Sequence, residues 1–126
     1  MKPTKLTKLQ RDVLIDKGTE PPFSGDYLYN EEYGEYVCAG CGSVLFASEH
    51  KFDSGSGWPS FYDVANKKAV RLVEDTSNGM HRVAVECANC GGHLGHVFND
   101  APQTPTNIRF CINSCVLHFN EKDIST

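Results

Sequence analysis

The chain has 126 residues, a formal net charge of −4, and eleven Gly, six Pro and six Cys. At this length one domain spanning 1–126 is expected, with a core small enough that a structural metal would help a loop-rich fold. The basic residues are scattered, apart from a small excess in the first eleven positions, which argues against a nucleic-acid-binding stripe, and no apolar run reaches bilayer length or forms a signal-peptide core.

The expected setting is therefore a monomer in reducing cytoplasm, with no membrane and no nucleic-acid partner. In that setting Cys-x-x-Cys pairs more often mean metal or redox chemistry than structural disulfides.

In chain order, Leu6, Leu9, Val13 and Leu14 recur near helical spacing and predict an N-terminal helix over about 4–17. Thr7 and Gln10 have capping-box spacing, and Gly18 supplies a C-terminal stop. The positive charge of this segment is broken by Asp12 and Asp16, which favours a solvated helix face over a targeting peptide. Turn residues and aromatics from Gly18 to Gly34 predict an extended segment that wraps the domain.

A β core is predicted over about 35–119. Short bursts of apolar and polar alternation mark strands at Tyr36-Val37, Val44 to Phe46, Val70 to Val73, Arg82 to Val85 and Val97-Phe98, and one long strand from Ile108 to Phe119. Glu74 to Gly79 reads as a hairpin loop between two of them. The fold class is thus mainly β with a short N-terminal helix.

Two Cys-x-x-Cys pairs, Cys38/Cys41 and Cys87/Cys90, lie within this core and are separated by 45 residues. A two-residue spacer lets both sulfurs of a knuckle face one ion, and zinc favours four thiolates in a tetrahedron. Glycines at 40, 42, 91 and 92 supply the flexible turns such knuckles use. One structural Zn2+ held by Cys38, Cys41, Cys87 and Cys90 is the preferred reading over a thioredoxin-like redox pair or an iron–sulfur cluster, and it would tie distant hairpins together.

Of the two remaining cysteines, Cys111 lies in Arg109-Phe110-Cys111-Ile112-Asn113. On a strand, Arg109, Cys111 and Asn113 share one face, and Phe110 and Ile112 turn toward a core. A cation beside a thiol suits a reactive thiolate, and the competing reading is a buried structural cysteine.

Further motifs decide between these. Lys51 to Phe61 contains Asp53-Ser54-Gly55-Ser56-Gly57-Trp58-Pro59-Ser60, and Gly92-His93-Leu94-Gly95-His96-Val97-Phe98 follows later. With Gly18-Thr19-Glu20, Pro22 to Gly25, Arg109 to Ser114 and the two knuckles, the chain resembles the methionine-R-sulfoxide reductase family of MsrB type from about Thr7 to Phe119.

The resemblance implies two antiparallel sheets packed at an angle, a β-tent arrangement, with N-terminal helices and a zinc clip. It implies reduction of methionine-R-sulfoxide, free or within proteins, with thioredoxin or another external thiol as reductant. Cys111 matches the catalytic cysteine and Trp58 the tryptophan that packs on the substrate methyl group. His93, His96, Asp100, Arg109 and Asn113 match the polar pocket lining. Phe110, beside the nucleophile, joins Trp58 as a substrate-contact candidate, although strand alternation turns it toward the core. His96, with His93, is the candidate proton donor, but an i,i+3 pair on a regular strand faces opposite sides unless Gly95 bends the chain.

Three positions depart from the family pattern. Ser56 stands where many members carry a resolving cysteine, Ala101 where glycine is usual, and Asn107 where glycine is frequent. Cys115 lies four residues beyond Cys111, too far along one regular strand for a disulfide, and so reads as a packing residue. The rival function is a small-ligand-binding module on the same zinc-clipped scaffold without turnover. A zinc-ribbon nucleic-acid module is disfavoured by the acidic balance.

Overall fold

The computed structural model describes residues 6–122. The N-terminal helix is shorter than the periodicity suggests. α1 runs over Lys8–Leu14, and the first residues of the expected span lie outside the described residues. Thr7 closes a capping box with Gln10, its hydroxyl accepting the Gln10 N–H at 3.1 Å while the Gln10 side chain accepts the Thr7 N–H at 2.8 Å. The stop falls at Lys17 rather than Gly18: Lys17 takes the left-handed φ of 60°, and the Gly18 N–H returns to the Asp12 carbonyl at 2.8 Å.

Nine strands follow: β1 (Gly34–Cys38), β2 (Val44–Ala47), β3 (Lys51–Phe52), β4 (Ser60–Phe61), β5 (Val70–Asp75), β6 (Arg82–Cys87), β7 (His93–Ala101), β8 (Asn107–Ile112) and β9 (Leu117–Glu121). They form two antiparallel sheets, a three-stranded one in the order β2-β1-β9 and a six-stranded one in the order β3-β4-β8-β7-β6-β5.

An aromatic core joins the sheets. Phe46 of the small sheet stacks on Phe61 of the large one at 4.4 Å between ring centroids, and Tyr36 meets Phe61 edge-on at 5.1 Å. Such pairs add about 0.5–1.5 kcal/mol beyond their burial. Leu45, Val85, Leu94, Ile112, Val116 and Leu117 complete the core.

The long strand expected over 108–119 is broken. β8 ends at Ile112 in the large sheet, a 3-10 turn occupies Ser114–Val116, and β9 then pairs with β1 in the small sheet. Glu20 builds this corner. It is 2% exposed, and its carboxylate accepts the N–H groups of Ser114 at 2.8 Å and Cys115 at 2.9 Å. A buried carboxylate is satisfied only when such donors surround it, so the extended segment 18–34 is pinned at this point.

Two local irregularities mark β7 and the hairpin that follows it. At the end of the β7–β8 hairpin Asn107 adopts φ 62°, a left-handed conformation that Asn tolerates better than most residues. On β7, Gly95 pairs with Val85 and His93 with Glu86, so Leu94 is an extra residue in the ladder. That bulge shifts the alternation by one and turns His93 and His96 to the same side.

Candidate active site

Cys111 lies on β8 between β4 and β7, opposite Ser60 on one neighbour and His96 on the other. Its thiol is nearly buried and surrounded by donors. The Arg109 Nη1 approaches Sγ at 3.2 Å and the Ser56 hydroxyl at 3.2 Å, while the Ser60 hydroxyl lies at 3.9 Å. A guanidinium and hydroxyls around sulfur form a setting for an anionic thiolate. Ser54 ties the loop together, its hydroxyl 2.8 Å from that of Ser56 and 2.7 Å from that of Ser60.

Arg109 is itself fixed. Asp100 receives its Nε and Nη2 at 3.0 Å each, and the guanidinium carbon lies 4.3 Å from the Phe98 ring centroid. The bidentate pair holds Asp100 below the usual carboxylate range and raises Arg109 further, chiefly through these hydrogen bonds. Asp100 is the exposed end of this chain of contacts and Cys111 its buried end.

Trp58 stands in the loop between Ser56 and Ser60, half-buried, with its indole N–H donated to the Glu20 carbonyl at 3.0 Å. The same Glu20 donates its backbone N–H to the Asn113 side-chain oxygen at 2.9 Å. The Asn113 amide nitrogen donates to the Leu94 carbonyl at 2.8 Å. Asn113 therefore has both polar ends committed to backbone, where the resemblance implied a pocket-lining group. Phe110 requires a plainer correction. Its ring is buried in the core 5.8 Å from that of Phe46, on the opposite face of β8 from Cys111, because strand alternation dictates it.

The histidines meet edge to face at 5.3 Å. His96 Nε2 bonds the Asp75 carboxylate at 2.7 Å. His93 is 3% exposed, and among the described residues neither of its ring nitrogens has a hydrogen-bond partner. β7 packs closely on β8, with His96 paired opposite Cys111. A Cβ on Gly95 would come within 2.0 Å of the Cys111 carbonyl, so only glycine permits the approach.

Sequence reasoning missed Glu20, Asp75, Ser54 and Ser60. Glu20 and Ser60 stood inside recognised motifs. Asp75 stood in an expected hairpin loop that is in fact the end of β5.

The other four cysteines converge. Their sulfurs all lie within 4.8 Å of one another, with Cys38–Cys90 at 3.7 Å and Cys41–Cys87 at 3.6 Å. A tetrahedron with metal–sulfur bonds of about 2.3 Å has edges of about 3.8 Å, so the cluster fits a metal ion. The two knuckles are alike: the Gly42 N–H bonds the Cys38 carbonyl and the Gly91 N–H the Cys87 carbonyl, each at 2.8 Å, with both glycines at positive φ. Leu14 of α1 covers them, so close that a Cβ on Gly92 would lie 2.6 Å from its side chain. Cys38 is pushed up by its contact with Cys87 and by burial, while Cys87 is drawn down to about 5 by the Cys38 thiol. Thiols this close do not all ionise without a cation among them.

Cys115 is separate from both centres. It lines a cavity of about 610 Å³ bordered by Glu20, Tyr27 and the Cys38 to Gly42 knuckle, a cavity that Cys111 does not line. Burial first, then the charge of Glu20, push its thiol up to about 12.

This arrangement defines a thiol-based redox site on an antiparallel β scaffold, with a second cysteine cluster suited to a metal. The chain belongs to the SelR domain family, whose match covers residues 6–121. It is 57% identical over 118 residues to the peptide methionine sulfoxide reductase MsrB of Methanosarcina barkeri, covering 94% of this chain and 82% of that protein. It is 53% identical over 119 residues to the protein of the same name from Photorhabdus laumondii, covering 94% of this chain and 87% of that one. It is 51% identical over 121 residues to mouse mitochondrial methionine-R-sulfoxide reductase B3, covering 96% of this chain and 47% of that protein.

The burial of His93 has a measurable consequence. Desolvation first, then the neighbouring His96, lower it from 6.5 to about 4. The unfolded chain therefore takes up this proton before the folded one. The stability conferred by the neutral ring is complete above about pH 6.5 and is lost as pH falls toward 4. Urea midpoints should fall across that window, and His93→Gln should reduce the slope. An unchanged slope in the folded variant would contradict a buried neutral His93.

Proposed function

We infer that the protein reduces methionine-R-sulfoxide to methionine through the Cys111 thiolate. The observation that carries this reading is the Cys111 sulfur held 3.2 Å from both Arg109 and Ser56, on a chain of this family.

The thiolate attacks the sulfoxide sulfur. As the S–O bond weakens, the oxygen gains negative charge, and His96 delivers a proton to it, with His93 beside it as a neutral ring. Oxygen passes to Cys111 as a sulfenic acid and methionine leaves as the thioether, so sulfur in the substrate is reduced while sulfur in the enzyme is oxidised. An external thiol then attacks the sulfenic sulfur and releases water, and a second thiol frees Cys111. A thioredoxin-type dithiol would serve both steps. Trp58 presents an indole face to the small methyl group, and Arg109, anchored by Asp100, steadies the thiolate. Asn113 positions Glu20, and through it Trp58. The working compartment proposed is reducing cytoplasm, in keeping with cysteines used for metal and redox chemistry, and the working unit a monomer.

Cys38, Cys41, Cys87 and Cys90 would hold one Zn2+. Bound there, the ion supplies structural cross-linking and no reaction step, because four sulfurs close its coordination.

Cys111→Ser should lower reductase activity with a dithiol by at least about a thousandfold without loss of fold. A folded variant with substantial activity would overturn the nucleophile, and equal turnover of the S epimer would overturn the substrate assignment. Metal analysis should find one zinc per chain, and chelation should lower the melting temperature. A chain free of zinc that melts unchanged would refute the metal assignment.

A further inference from the structure

We propose that Asp75 is a positioning residue for the reaction: reaching diagonally across the large sheet past the small side chain of Ala84, it holds His96 by Nε2 so that the ring serves the Cys111 site as proton donor. The proposal rests on the reading of His96 as the acid.

The registers define the geometry. Cys111 pairs with His96, His96 with Ala84, and Ala84 with Val73, which makes one row of side chains across β8, β7, β6 and β5. Two residues along each strand, on the same face, the next row carries Arg109, Phe98, Arg82 and Asp75. Asp75 is thus diagonal to His96, with β6 between them. Ala84 is buried and ends at its methyl group, and that gap lets the carboxylate and imidazole meet at 2.7 Å. A longer side chain at 84 would stand between them.

The carboxylate is itself held. Its Oδ1 accepts the Ser77 N–H at 2.9 Å, from the 3-10 turn that follows β5, and Oδ2 receives His96, with Arg82 at 3.7 Å. The His96 contact and then the Ser77 bonds keep Asp75 ionised, well below the ordinary carboxylate range. An ionised carboxylate on Nε2 fixes the ring plane and leaves Nδ1 as the nitrogen for substrate. The other charged or titratable groups around the ring are Arg82 on β6, His93 on its own strand, and Cys111 and Arg109 on β8, with Asp100 bound to Arg109.

The test pairs a ring titration with kinetics. Asp75→Asn keeps the size and one acceptor oxygen but removes the charge. The His96 imidazole is followed by NMR, its signal assigned by its absence in His96→Ala, and kcat is measured against pH with methionine-R-sulfoxide and excess dithiothreitol. Asp75→Asn should move the His96 midpoint and the alkaline limb of kcat together to lower pH, leaving KM little changed. Asp75→Glu should recover part of the shift. Ala84→Val, which fills the gap and leaves the carboxylate in place, should reproduce the loss. A His96 midpoint unmoved in folded Asp75→Asn and Ala84→Val would overturn the proposal. If the midpoint moves but His96→Ala keeps its full kcat, the ring is paired without being the acid, and the proposal falls together with that reading.

Discussion

The structure depends on one corner. After Ile112 the chain must leave the large sheet and enter the small one, and the backbone N–H groups exposed by that turn are buried. The Glu20 carboxylate accepts two of them. Its backbone N–H binds Asn113 and its carbonyl receives the Trp58 indole. One residue from the wrapping segment therefore joins the end of β8, the sheet-to-sheet crossing and the indole of Trp58. An unsatisfied buried N–H costs about 1–3 kcal/mol, so the corner is a strong constraint in a domain of this size. It also explains why residues 18–33, which contain neither helix nor strand, still have a defined path.

The second organising feature is the polar face of the large sheet. Antiparallel pairing sets Ser60, Cys111, His96 and Ala84 in one row, and the adjacent row adds Arg109, Phe98, Arg82 and Asp75. The opposite face of β8 gives Phe110 and Ile112 to the core. A single strand thus serves packing and chemistry, its register locked by burial on one side. The bulge at Leu94 is what brings His93 to the same side as His96. Without that extra residue the two rings would face opposite ways.

Much of this was legible in the residues themselves. The two cysteine pairs pointed to the four-sulfur cluster because ligand spacing is a local property. The alternation through Arg109, Cys111 and Asn113 placed a cation beside a thiol, and Thr7 with Gln10 capped a real helix. What escaped were long-range hydrogen bonds and irregularities. Ile108 to Phe119 has the pattern of one strand because both halves are apolar, and only a carboxylate 94 residues away breaks it. The bulge at Leu94 leaves no mark in composition. Asp75 reads as a turn residue because Asp favours turns, and its use depends on a methyl-sized gap on the neighbouring strand. Asn113 shares the Cys111 face of the strand pattern, but its partners, the Glu20 N–H and the Leu94 carbonyl, are far away in sequence, and alternation commits Phe110 to the core.

The central claim is that oxygen from the substrate comes to rest on Cys111 and waits there for an external thiol. Ser56 lies 3.2 Å from the sulfur and cannot form a disulfide, and Cys115 opens onto a cavity that Cys111 does not line, with its thiol pushed up to about 12. The most direct measurement is the intact mass and peptide map of the reduced protein after stoichiometric methionine-R-sulfoxide without reductant. The account predicts one added oxygen, localised to Cys111 and trapped by a sulfenic-acid reagent. A loss of two hydrogens with a Cys111–Cys115 disulfide would contradict it.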